Sequence, residues 1–375
     1  YELPLRLVGS EMCIRDSSGS IQKYRTVLNR LDSVVPNAHA WCCTTYDLLY
    51  FHAEIHYRRS FCRCSEGVRR YCRMEKNMRR MELDAGIKNI MVIVPHEDDE
   101  ILLAAGIMEK ALAKGIGVHV VMAGNGDYEG HDEATGSVRL PETLAGLQVL
   151  GLDGRQVTFL GYADTGMDET ESFLHQLYDD SEGDRVHVSH CSNHTYALPD
   201  KKDYHAEKYG KPALYTRNQF KQDLKEIIME KRPEIIFTTA EYDRHGDHSG
   251  LVLFIKEILT EEKEYHPTLF SGVVHSNAGD ENWPNRSAKR DNIWDYAKSM
   301  DVCEPFACPK DFDKGLLKWE ERISFAVPED MWALDFSKNR KARALACHKN
   351  AIKEDAVEFL YSFIKREELF WEIVY

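Results

Sequence analysis

The stretch VPHEDDEIL (94–102) sets one imidazole and four carboxylates in a row: His96, Glu97, Asp98, Asp99 and Glu100. Acids are favoured in the first turn of a helix, where the dipole's positive end faces them, so a plain helix start is one reading. A cation site is the other, because a divalent ion relieves the repulsion inside such a run. A second run, EYDRHGDHSG (241–250), holds Asp243, His245, Asp247 and His248. Asp247 is also a good N-cap, so turn residues compete with ligands there as well. A hydrolytic zinc centre takes about three protein ligands from imidazole and carboxylate, a position left for water, and a base beside it. His96 and Asp99 can reach one ion from a strand-to-helix turn, and His248 would complete a set of two histidines and one aspartate. Asp98 is then left to take a proton as general base. Asp247 and His245 form a further candidate pair, in which the acid keeps the imidazole protonated to stabilise an oxyanion or protonate a leaving amine.

The surrounding pattern supplies elements to carry these runs. IKNIMVIVP (87–95) is short, apolar and rich in β-branched residues, the pattern of a strand buried on both faces. Residues 100–117 switch to helical spacing, with Ile101, Ala105, Met108 and Leu112 on one stripe and Gly115 near the end. A second strand is expected in VHVVMAGNGD (118–127), a helix in VRLPETLAGLQVLGLD, and a third strand in QVTFLGYADTGM, whose loop carries Asp164. Residues 168–215 show no clean period and read as a long loop region that covers or lines a site, with His194, Tyr204 and His205 as candidates for a sugar pocket. A helix then stops at Pro233 before the strand EIIFTTA, and a further strand covers 268–275. The tail from 338 to 374 reads as a long C-terminal helix with a break. Strands alternating with helices predict an α/β fold with a mostly parallel sheet. Ligands of such sheets collect beyond the carboxyl ends of the strands, where both charged runs fall.

Composition separates the head from the rest. Residues 1–84 carry a net +4 (14 Lys+Arg against 10 Asp+Glu), and residues 85–375 a net −18 (34 against 52). The head reads as a non-conforming extension, disordered or not native: its VGSEMCIRDS (8–17) resembles translated adapter sequence, and its cysteines lack the paired CxxC spacing of a structural zinc site. The remainder, 85–375, is expected to be one functional domain. Its acidity argues against a nucleic-acid partner, and no apolar run reaches the ~20 residues of a membrane span.

The motifs carry a resemblance. PHEDDE resembles the AHPDDE motif of the PIG-L/LmbE family of zinc-dependent N-deacetylases, and HGDH is similar to that family's HPDH. NGD (125–127), VRLPETLAGLQVLG, FLGYADTGM and a weaker KARALACHKNAI follow in the family's order. The resemblance implies that His96, Asp99 and His248 hold Zn2+, or another divalent metal, and that Asp98 is the general base. It further implies that His245 stabilises the oxyanion or acts as acid, with Asp247 beside it. Arg139 and Asp164 fall where the family places substrate contacts. Arg244, beside the second motif, is a third candidate for substrate or for an acid partner. Glu97 and Gly246 each replace a motif proline, which frees two turns and changes no ligand; Glu97 also adds a negative charge near the metal, which would discourage an anionic substrate. The expectation is a cytoplasmic hydrolase on a Rossmann-like three-layer α/β scaffold. It would remove the acetyl group from an N-acetylglucosamine-type sugar or a small amino-sugar conjugate. Hydrolysis of another amide or ester at the same metal, and a non-catalytic carbohydrate-binding protein, are the alternatives. The sequence leaves the oligomeric state open.

Overall fold

The computed structural model describes residues 79–84 and 86–277, scattered positions between 278 and 315, and 316–375 apart from 334 and 353–356. All of them belong to the unit Met74–Tyr375. The expected disorder of the head falls almost wholly outside the described residues, although Arg79–Met81 form an edge strand.

An eight-stranded sheet organises the chain. In sequence order its strands are β1 (Arg79–Met81), β2 (Asn89–Val94), β3 (Gly117–Gly124), β4 (Val157–Tyr162), β5 (Ile235–Thr239), β6 (Thr268–Gly272), β7 (Ile323–Ala326) and β8 (Glu367–Ile373). In space the order is β1-β7-β8-β6-β5-β2-β3-β4. The strands from β2 to β6 are mutually parallel, and β8 runs antiparallel to both β6 and β7. Among the described residues, the α-helices of six residues or more are α1 (Asp99–Ala113), α2 (Leu140–Val149), α3 (Phe173–Tyr178), α4 (Tyr204–Tyr209), α5 (Arg217–Lys231), α6 (Gly246–Glu261), α7 (Arg340–Leu345) and α8 (Val357–Ser362). The α/β fold and the mostly parallel sheet are therefore as the periodicity predicts.

β2 shows why its residues are apolar throughout. Ile90, Val92 and Val94 enter one core with residues of α1, α2 and α7, whereas Met91 and Ile93 enter another with α5 and α6. Alternate side chains of a strand point to opposite faces, so helices on both faces require an unbroken apolar run. Among the described residues no helix is long and apolar enough to cross a membrane.

The long C-terminal helix is not found. Its span holds two six-residue helices, α7 and α8, and then strand β8, whose Leu369, Phe370 and Trp371 are buried between β6 and β7. The segment 168–215 also differs from a plain loop, since it contains α3 and α4. Asp203 caps α4 by accepting from the Ala206 amide, and Thr195 donates to the same carboxylate at 2.8 Å.

Strand order fixes where a site can form. The chain builds β2, β3 and β4 outward in one direction, then returns to lay β5 against the other edge of β2. Loops leaving two adjacent parallel strands in opposite directions open a crevice at their carboxyl ends. The turn after β2 begins PHEDDE, and the turn after β5 leads into HGDH.

Candidate metal centre

Both motifs sit at helix starts on that crevice. Asp98 caps α1 with φ 111°, a strained conformation for a residue with a Cβ. Glu100 braces it: its Oε2 accepts the Asp98 amide at 3.1 Å. Asp99 Oδ2 accepts the His96 amide at 3.1 Å, which closes the turn around the two residues. Across the crevice His245 caps α6, and its Nδ1 accepts the Asp247 amide at 3.2 Å.

Three donor atoms converge, although His96 and His248 are 152 residues apart. His96 Nδ1 is 3.2 Å from His248 Nε2, His96 Nδ1 is 3.5 Å from Asp99 Oδ2, and His248 Nε2 is 3.3 Å from Asp99 Oδ2. Ligands ~2.0–2.1 Å from a tetrahedral ion stand about 3.3 Å from one another, so this triangle has the size of one face of such a site. Each imidazole meets a carboxylate at its other nitrogen: Asp247 Oδ2 lies 3.0 Å from His96 Nε2, and Asp243 Oδ2 lies 3.2 Å from His248 Nδ1. Acids in that place fix the tautomer and orientation of metal-ligating histidines.

A second set of donors shares the His96 ring. His96, Asp164, His245 and Asp247 also lie close enough together to hold an ion, as do His96, His245 and His248, and all five residues are buried. The Nδ1 triangle is compact, its atoms 3.2 to 3.5 Å apart, whereas in the four-residue set Asp164 Oδ2 stands 3.8 Å from His96 Nε2.

Charge in the cluster is tightly balanced. Burial alone would lower the His96 imidazole, but Asp164, Asp247 and Asp99 together raise it well above its usual range. Burial likewise opposes protonation of His248, which Asp243 and Asp99 bring up to about 10. Burial would raise Asp99, yet His248 and His96 hold it well below the carboxylate range. Asp99 is thus an acid that neighbouring positive charge keeps ionised, and a divalent ion would supply that charge in place of imidazole protons. Asp98 is pushed up to about 6 by burial, against the pull of Arg139.

The expected pairing of Asp247 with His245 is not what the side chains make. The Asp247 carboxylate goes to His96 and to the Leu174 amide, at 2.7 Å, and only its backbone N–H meets His245. An imidazole whose Nδ1 accepts carries its proton on Nε2, and burial together with the neighbouring imidazoles lowers His245 well below its usual value. Its side chain is therefore not paired with the Asp247 carboxylate. The Arg139 guanidinium is bonded to the Glu97 carbonyl and to Asp98 Oδ2, the latter at 3.2 Å. Asp164 joins the cluster beside His96, with its amide donating to Asp127 Oδ1. Arg244 is exposed on the wall of a cavity of about 740 Å3, lined also by Asp168, Glu169, Glu241, Asp243 and Asn277. His194 contacts Glu133, while Tyr204 and His205 contact Glu226 and Asp223 of α5; none of these contacts is with the cluster.

Two residues at the site have no role assigned from the sequence. Asp243, a member of the second run, binds the Val274 and His275 amides as well as His248. His275, beyond β6, stands with its ring centroid 5.5 Å from that of His248. Its position past a strand's carboxyl end was the available signal. Gly246 has a local reason for not being proline: its N–H donates to Met167 O at 2.7 Å, and a Cβ there would collide with Ser172.

A family model described as "PIG-L: GlcNAc-PI de-N-acetylase" matches residues 91–259. No curated protein matches the chain. Among solved structures, N,N′-diacetylchitobiose deacetylase from Pyrococcus horikoshii, complexed with its inhibitor MPG, is 15% identical with a TM-score of 0.39, covering 77% of this chain and 84% of its own. A deacetylase of the teicoplanin biosynthetic pathway, as a triple mutant, is 13% identical with a TM-score of 0.43 over 76% of this chain and 98% of its own. The 4-carboxy-2-hydroxymuconate hydratase GalB from Pseudomonas putida KT2440 is 12% identical with a TM-score of 0.36, over 77% and 97%. The motifs at the crevice and the match across 91–259 identify a PIG-L family domain in this chain.

Proposed function

We propose that this chain is a metal-dependent N-deacetylase that removes acetate from an N-acetylglucosamine-type sugar or conjugate. One observation carries the reading: three donor atoms of His96, Asp99 and His248 lie 3.2 to 3.5 Å apart, each histidine backed by a carboxylate. Zinc, or another divalent ion, held by these three residues would supply the positive charge that polarises an amide carbonyl and acidifies a water.

The chain's own groups account for the remaining steps. Asp98 takes the proton of the attacking water at its carboxylate, the role of a general base beside a metal-bound water. His245 donates from Nε2 to the oxygen on which negative charge develops. The proton held by Asp98 then passes to the amine as it leaves.

The direct test is acetate release from a panel of N-acetylglucosamine conjugates. Release should stop on chelation and return with zinc, and His248→Ala should lose the metal. Stoichiometric metal without acetate from any member of the panel would contradict the reading and favour a carbohydrate-binding role.

A further inference from the structure

Glu97 is fully buried, and neither carboxylate oxygen has a hydrogen-bond partner on another residue among those described. Such a group is costly to bury, and it stands where the family motif has an apolar proline. What it faces is Arg139. Glu97 Oε2 lies 3.6 Å from the guanidinium Nε, and the Glu97 carbonyl accepts from Nη2. Nη2 also reaches Asp98 Oδ2 at 3.2 Å. One residue therefore meets the guanidinium with its carboxylate and its carbonyl, while the guanidinium meets Asp98. Gly126 makes the space. It has φ +57°, and a Cβ at that position would collide with Glu97 Oε2 and stand 2.9 Å from Arg139 Nη1.

We propose that Glu97 is a positioning residue: against Gly126, it clamps Arg139 so that the guanidinium stays on Asp98, the base in the deacetylase reading on which this inference rests. Arg139 is thereby held on the base. Without the Glu97 side chain the guanidinium is free to leave Asp98, so the loss runs through Arg139.

A double-mutant cycle tests this, using the parent, Glu97→Ala, Arg139→Ala and the double variant. Each is measured for kcat of acetate release from N,N′-diacetylchitobiose, for metal content and for the urea unfolding midpoint. Each single change should lower kcat about 10- to 100-fold, the usual range for an outer partner of a metal site, with metal content and KM little changed. The double variant should be no slower than Arg139→Ala, because the two residues act as one unit. A Glu97→Ala protein as fast as the parent, or losses that multiply in the double variant, would overturn the clamp. If Glu97→Ala does not fold, Glu97→Gln takes its place in the cycle. If the parent releases no acetate from this substrate or from any member of the panel, the deacetylase reading fails and the urea midpoints decide: shifts that are not additive support the clamp, and additive shifts reject it.

Discussion

At the scale of single residues, the centre depends on which ring nitrogen each histidine presents. Asp247 and Asp243 settle that by taking His96 Nε2 and His248 Nδ1, which turns the remaining two nitrogens toward Asp99. Gly246 gives a separable prediction. Gly246→Pro removes the donor to Met167 O and drives a ring into Ser172. A loss of about 2–3 kcal/mol in urea unfolding is expected from a broken buried hydrogen bond plus overpacking; an unchanged midpoint would refute the packing account. That His96, Asp99 and His248 could meet was legible in the sequence, because chemistry-bearing residues after apolar strands are a strong pattern. Their outer partners were not. Asp247 beside His245 suggests a pair in one dimension, but the α6 start points the carboxylate at His96, across the crevice.

At the scale of elements, α1 is the piece that must be held, since it carries Asp98 and Asp99 at its start. It is broken at Ala104 (φ −133°, ψ 15°), which leaves amides and carbonyls without helical partners. Glu368 of β8 accepts from the amides of Gly106 and Ile107, at 2.9 and 3.0 Å. Lys341 of α7 donates to Leu102 O at 2.9 Å and to Glu368 at 3.0 Å. The C-terminal elements thus stitch the break from outside. Lys341→Met should strand the Glu368 charge, at a cost of about 3 kcal/mol or more, seen as a lower thermal midpoint; a midpoint equal to the parent's would reject the stitch. The sequence hid this arrangement. REELFWEIV has helix formers enough to read as helix, and only its pairing with β6 and β7 makes it a strand. By contrast β2 was legible nearly to the residue, because burial on both faces leaves a run that no surface element can have.

At the scale of the whole molecule, one open sheet gathers the site by strand order, with titratable groups buried around it. His348 is one of them: burial, helped by Arg139, lowers it from 6.5 to about 3. The unfolded chain therefore takes up a proton near pH 6.5 that the folded chain refuses until about pH 3. Stability from this group is complete above pH 6.5 and is lost as the pH falls through that window. Between pH 7 and pH 4 the loss should be about 3 kcal/mol, and His348→Gln should abolish that share of the slope; an identical slope in the variant would contradict it. The central claim is that His96, Asp99 and His248 hold a divalent ion while Asp98 moves the proton. It is tested most directly by measuring metal content and acetate release together on Asp98→Ala. The account predicts one bound metal per chain and turnover lowered by about 100-fold or more, as for loss of a general base. A variant that keeps the parent's turnover, or that loses its metal, would contradict it.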